Sequence, residues 1–301
     1  MIVPFLKLGD KVAITAPASQ VKKDDVLKGV QILENWGLQI VIGDTVGNSF
    51  FNFSDTLENR KRELQGFLDD DSIQCIFSAR GGYGVSDLID ALDFQKFRRN
   101  PKWIIGFSDL TALLLHINHL GYPGIHGPMA KTLIFDEFST ENLRRILFGE
   151  NIHYHWNPDS SNKIGVSQGE AAGGNLVLLA HSIGSQSDIS YDDKILFIED
   201  IGEKMYSIDR LVVQLKRAGK LKNLAGLVLG DFTDISENSV PFGNTVSEII
   251  LNHISDYDYP VAFGFQFGHE DVNLPIVMGA TYQLDVKPAG VTLKSSFNGI
   301  V

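Results

Sequence analysis

Apolar positions recur along this chain in two rhythms, one with helical spacing and one of short continuous runs. Lys11–Thr15 (KVAIT) is an apolar run that stops at Ala16-Pro17-Ala18-Ser19 and reads as a strand. From Asp24 to Trp36, Val26, Val30 and Leu33 fall at helical spacing, and Gly37 is a natural stop. Leu38–Ile42 reads as a second strand, and Thr56–Asp69 as a charged helix with Leu57, Leu64, Phe67 and Leu68 apolar. Ile73–Ser78 and Trp103–Phe107 are continuously apolar, as strands are when both faces of a sheet are covered. Helical patterns at Val85–Leu92 and Asp109–Leu120 follow them. This alternation predicts an α/β fold with a doubly wound parallel sheet of Rossmann or flavodoxin-like type.

The second half changes character. The polar stretch His153–Ser167 reads as a crossing between domains. After it come a helix (Asn175–Ile183), a strand (Lys194–Ile198), a helix (Ser207–Ala218) and a strand (Leu227–Leu229). Near the C-terminus Tyr282, Leu284 and Val286 alternate with Gln283, Asp285 and Lys287, the pattern of a half-buried antiparallel strand. The expectation is an N-terminal α/β domain over residues 1–160 and a smaller, strand-rich α/β domain over residues 161–301.

Composition narrows the function. The 301 residues carry 26 Lys+Arg against 37 Asp+Glu, a formal net charge of −11, which argues against a nucleic-acid or anionic-membrane partner. No apolar run approaches the ~20 residues that span a bilayer, and the opening residues lack the pattern of a secretory signal. A cytoplasmic location is therefore expected. The single cysteine, Cys75, excludes an internal disulfide and a multi-thiolate metal site; mid-strand in an apolar run, it reads as an inert buried thiol.

Four segments could carry chemistry. In Gly106-Phe107-Ser108-Asp109, Ser108 stands where an apolar strand stops and a helix begins, at the end of the sheet where α/β proteins place ligands. It has the logic of a nucleophile elbow without the G-x-S-x-G letters, and it could equally be a helix N-cap. Arg80-Gly81-Gly82-Tyr83-Gly84 also ends a strand. Its glycines could turn backbone N–H groups towards a ligand, or simply make a tight turn. Ile195–Asp200 ends in two carboxylates, with Glu203 as a rival to Glu199. In Gly268-His269-Glu270-Asp271, a histidine stands in a polar loop. His116 and His119 lack further ligands at metal-binding spacing, and His153 and His155 alternate along a strand pattern. A serine, an amide-rich loop, a carboxylate and a histidine form the parts list for acyl transfer.

These segments, with GGNL (Gly173–Leu176) and YSIDRLVVQL (Tyr206–Leu215), occur in the order seen in the LD-carboxypeptidases, or muramoyltetrapeptide carboxypeptidases, and their microcin-immunity relatives. The chain resembles that family over nearly its whole length. The resemblance implies a serine peptidase without metal or cofactor that releases the C-terminal D-alanine of a peptidoglycan tetrapeptide during cytoplasmic recycling, and that forms a homodimer. Carried onto this sequence, Ser108 is the nucleophile, Glu199 orients the histidine and His269 is the base. Asp109 and Gly82 are the oxyanion donors, with Gly81 competing, and Arg80 is a candidate for the substrate's terminal carboxylate. Met205 stands where the family pattern has proline. Two alternatives accompany this reading: a microcin-immunity-type hydrolase of peptidyl-nucleotide amides, and a non-catalytic small-ligand binding module.

Overall fold

The computed structural model describes residues 3–297. Thirteen strands are distributed over two sheets: β1 (Lys11–Thr15), β2 (Gln39–Ile42), β3 (Ile73–Ser78), β4 (Trp103–Gly106), β5 (Gly124–His126), β6 (His153–Trp156), β7 (Gly165–Asn175), β8 (Lys194–Ile201), β9 (Gly226–Thr233), β10 (Val261–Ala262), β11 (Ile276–Met278), β12 (Thr281–Lys287) and β13 (Gly290–Ser296). The first sheet runs β11-β5-β4-β3-β1-β2. Its strands β1 to β5 are parallel, and β11 pairs antiparallel with β5. The order 2-1-3-4-5 is the flavodoxin-like arrangement, with its switch point between β1 and β3. The loops leaving β3 and β4, where Gly81 and Ser108 lie, open at and beside that point.

The second sheet runs β10-β9-β8-β7-β12-β13-β6. Strands β7 to β10 are parallel, while β12, β13 and β6 add an antiparallel meander. With seven strands it is one wider than the first sheet. The sheets do not divide the chain at one point: β6 already belongs to the second sheet, and β11 returns to the first. The stretch read as a polar crossing thus contains β6 and the start of β7. Both alternate outward and inward residues, so their exposed positions, His153 and His155 among them, mask a strand. The helix expected over Val85–Leu92 is shorter, Ser86–Ile89.

One hydrophobic core runs through both sheets, joining Val12, Phe77 and Ile105 to Phe197, Phe265 and Tyr282. A second core gathers the helices of the C-terminal half and takes in Leu115 from the helix Thr111–His119 that follows Ser108. The halves are therefore docked by apolar burial. Cys75 lies buried in β3, its thiol pushed up by burial, consistent with an inert group. No helix among the described residues is long and apolar enough to cross a membrane.

Candidate active site

Strand β4 is wholly buried and delivers Phe107 and Ser108 to a single 3-10 turn, Ser108–Leu110, before the helix Thr111–His119. Ser108 has φ +61°, a left-handed conformation that costs an ordinary residue about 1–3 kcal/mol and is held by its surroundings. Its side chain caps neither this turn nor the helix, so the N-cap reading does not describe it. The strained turn instead presents the hydroxyl as a nucleophile elbow does.

The glycine loop lies directly against this serine. A Cβ built on Gly81 would stand 2.9 Å from Ser108 Cβ and 3.2 Å from its Oγ. Gly82, at φ +119°, leaves no room for a side chain beside Ser19, whose hydroxyl accepts the Tyr83 N–H at 3.2 Å. Two side chains pin the loop: that of Arg60, which sequence patterning does not single out, and that of Asp109, a residue singled out there only for its backbone N–H. The buried Arg60 donates to the carbonyls of Pro17 (2.7 Å) and Gly84 (3.1 Å). The buried Asp109 accepts the Val85 N–H at 2.8 Å. Thus Asp109 straps the glycine loop to the Ser108 turn with its side chain.

Gly81→Ala is expected to lower kcat on the order of tenfold to a hundredfold with little change in thermal stability. The new methyl crowds the serine without demanding a left-handed backbone, and misplacement by about 1 Å costs such factors. Unchanged turnover on an intact fold would show that the loop does not set the serine's position.

Burial pushes the Asp109 carboxyl up to about 6, against the hydrogen bond from Val85 and the charge of Arg60. Because its folded value lies above the ordinary 3.8, the folded state holds this proton more tightly, and stability falls as pH rises from about 4 to about 6. Asp109→Asn removes that dependence. Urea unfolding is expected to show the variant gaining on the parent by up to about 3 kcal/mol between pH 4 and pH 7. A difference independent of pH would contradict a raised Asp109.

Glu199 enters from the second sheet. The register of β8 against β9 shifts here: Ile198 pairs with Leu229 and Asp200 with Phe232, so two residues of β9, Gly230 and Asp231, stand opposite Glu199 and the ladder is locally interrupted at the carboxylate. Glu199 is completely buried, and its Oε2 accepts from His269 Nδ1 at 2.7 Å. Gly268, at φ +139°, permits this approach: a Cβ there would meet Glu199 Oε2 at 3.0 Å. The His269 ring stands edge-on to Phe107, the residue before Ser108, at 5.0 Å between centroids. Burial alone would push the Glu199 carboxyl up, but the rings of His126 and His269 outweigh it and hold the carboxyl below its usual range. Of the two rival carboxylates, Glu199 therefore holds the histidine, while Glu203 lines the cleft. His126, whose ring faces the other Glu199 oxygen, is a further residue missed in the sequence; its one signal is a position at the end of the apolar run before Gly127-Pro128.

The GGNL segment docks the two halves. Gly173 (φ +131°) and Gly174 (φ +135°) pass so close to Phe197 and Thr111 that no Cβ fits. Thr111 Oγ1 then accepts the Asn175 N–H at 3.2 Å, tying β7 to the helix after Ser108. The Asn175 side chain caps the helix Leu176–Ser182 and donates to Asp200 at 3.0 Å.

A cavity of about 330 Å³ opens here, with Gly82, Tyr83, Ser108, Asp109, Asp200 and Glu203 among its walls. Arg80 is not brought to it: its guanidinium is exposed and donates to the Gln20 carbonyl at 2.9 Å. The indole N–H groups of Trp103 and Trp156 bond the carbonyls of Pro4 and Phe263, and neither ring lines the cavity. His116 pairs with Ser187, and among the described residues no three His, Cys, Asp or Glu side chains gather as a metal site. Met205 begins the helix Met205–Arg217, and its N–H bonds the Ser236 carbonyl at 3.1 Å, a bond proline could not make.

Comparison with known proteins identifies the family. Residues 12–127 match the LD-carboxypeptidase N-terminal domain and residues 168–284 the LD-carboxypeptidase C-terminal domain. A probable murein peptide carboxypeptidase of Bacillus subtilis is 32% identical over 286 residues, covering 91% of this chain and 88% of the relative. The microcin C7 self-immunity protein MccF of Escherichia coli is 27% identical over 334 aligned residues, covering 97% and 95%. The crystal structure of muramoyltetrapeptide carboxypeptidase from Oxalobacter formigenes superimposes with a TM-score of 0.85 at 26% identity, covering 95% of this chain and 98% of that one. The chain belongs to the LD-carboxypeptidase family and is a hydrolase of the serine carboxypeptidase type.

Proposed function

We propose that the protein releases the C-terminal D-alanine from murein tetrapeptides through a Ser108–Glu199–His269 triad. The observation that carries this reading is the His269 ring, fixed by its Nδ1 on the buried Glu199 and packed against the residue preceding a left-handed Ser108. With Nδ1 engaged, Nε2 is the nitrogen left to take the serine proton. Ser108 Oγ attacks the carbonyl of the residue before D-alanine, and the imidazolium that forms is stabilised by Glu199. The backbone N–H groups of Gly82 and Asp109 meet the oxyanion, with Gly81 as the competing donor in the same loop. Removing one such donor typically costs about 10²–10³ in rate. His269 then protonates the departing amine, and water, activated by the same ring, releases the shortened peptide.

Substrate contacts follow from the cavity. His181 is the one side chain that can carry positive charge among the residues lining it, so the D-alanine carboxylate is assigned to this ring and to loop amides, in place of Arg80. The two-domain division near residue 160, the cytoplasmic location, the role in wall recycling and the homodimer belong to this same reading.

The test is mass spectrometry of L-Ala-γ-D-Glu-diaminopimelate-D-Ala after incubation with the protein, beside an aspartyl-nucleotide amide of the microcin type. Loss of one alanine from the tetrapeptide, with slower or no cleavage of the nucleotide, is the expected result. Cleavage of the nucleotide amide alone would assign the same device to the other substrate class.

A further inference from the structure

His126 ends β5 and sits opposite Gly106 of β4, two residues before Ser108. It is completely buried, its ring stacked on Phe267 at 3.9 Å between centroids and tilted towards Phe107 at 5.7 Å. Neither ring nitrogen has a hydrogen-bond partner among the described residues, and neither does Glu199 Oε1, which lies 3.9 Å from His126 Nε2. Unpartnered buried polar atoms are rare, and two that face each other at this separation form one donor–acceptor pair a small displacement from closing. The other oxygen of the same carboxylate holds His269. Glu199 thus has a histidine on each oxygen, one at the end of β5 and one in the loop that precedes β11.

We propose that His126 is a positioning residue for the reaction: its Nε2–H faces Glu199 Oε1 and locks the carboxylate in the orientation that presents His269 to Ser108. The inference rests on the triad reading above. A carboxylate held at one oxygen alone can swing about its terminal bond, and the base swings with it. A second donor removes that freedom, as outer partners of catalytic histidines and metal ligands do elsewhere at a value of about 10–100-fold. Burial holds the His126 ring below its ordinary range, so it is the neutral ring, with one N–H, that faces Glu199.

The charged surroundings also set the direction of a pH effect. Glu199 and Asp200 lie on β8, Asp231 on β9, and His269 and Glu270 on the loop before β11. Burial and the neighbouring Glu270 push Asp231 up to about 6. Removing the His126 donor concentrates negative charge on Glu199, which then binds a proton more readily and stabilises protonated His269 more strongly. Both effects move the acidic limb of kcat/KM to higher pH.

The experiment compares His126→Phe, which keeps a ring but has no donor, with His126→Gln, whose amide can place an N–H near the position of Nε2. For release of D-alanine from the tetrapeptide, the Phe variant is expected to lose about 10–100-fold in kcat with KM within about twofold, and to shift the acidic limb upward. The Gln variant is expected to recover most of kcat and the parental pH profile. In parallel, ¹⁵N NMR of the imidazoles is followed through a pH titration of the substrate-free proteins. It should show an Nε2–H tautomer at His126 in the parent and an upward-shifted His269 titration in the Phe variant. Equal losses in both variants with the acidic limb unmoved would reduce His126 to a space-filling ring and overturn the proposal. So would an Nδ1–H tautomer in the parent, a readout that holds even if a variant fails to fold. If the parent does not cleave the tetrapeptide, the substrate assignment fails, and the NMR titration still decides the role of His126.

Discussion

Ser108→Ala is expected to reduce D-alanine release by on the order of 10⁴–10⁶, leaving the thermal midpoint within a few degrees of the parent. The hydroxyl is neither a helix cap nor a ladder partner, so its removal takes away no structural hydrogen bond. Alanine must adopt the same left-handed backbone, at φ +61°, so the strain of the turn persists in the variant. What disappears is the atom that forms the acyl bond. Residual turnover over the uncatalysed reaction is expected, because the amides of the glycine loop and the binding contacts remain in place. Quantifying free D-alanine by mass spectrometry, alongside circular-dichroism melting, separates loss of chemistry from loss of fold. Near-parental release by a folded Ser108→Ala protein would remove the serine from the mechanism.

Glu199→Gln carries the second large effect, a fall of about 10³–10⁴ in kcat. The carboxylate accepts from His269 Nδ1 at 2.7 Å, which fixes the tautomer that leaves Nε2 free of its proton. Glutamine in its place can offer an N–H to the ring and favours the wrong tautomer, one whose proton points towards the serine. Glu203→Gln is the contrast: it alters the cleft wall without touching the ring, and a change of less than about tenfold is expected. Equal losses in the two variants would sink the distinction drawn between these carboxylates. The pair also carries a sign in stability. Glu199 is held below its ordinary range, against the opposing effect of burial, by the rings of His126 and His269. Its ionised form therefore adds stability above the unfolded-state value near 4.5, and that contribution is lost as pH falls through the lower folded value. The stability gap between the parent and Glu199→Gln is accordingly expected to narrow on acidification.

The first sheet was legible from local pattern because its strands are buried on both faces. Continuous apolar runs such as Ile73–Ser78 mark them directly, and the structure places that strand on the same residues. The strands of the antiparallel meander face solvent on one side, and His153–Trp156 hides its inward Tyr154 between exposed neighbours. Its chemistry-like histidines are simply the outer face of an edge strand.

Ordered motifs, each a turn or strand end with an unusual demand on the backbone, were enough for the sequence alone to determine the family and to single out Ser108, Glu199, His269 and the glycine loop as candidates. Only the tertiary structure decided which parts meet. It placed Glu199, and not Glu203, on His269, because Glu199 lies buried within β8 whereas Glu203 falls in the loop beyond that strand, on the cleft wall. It removed Arg80 from the cleft, gave Asp109 and Arg60 the task of pinning the glycine loop, and brought His126 from the first sheet to the back of a carboxylate on the second. The reason is common to all of these. Local pattern reports what a segment does with its own backbone, whereas a contact between residues seventy positions apart is set by how two sheets dock.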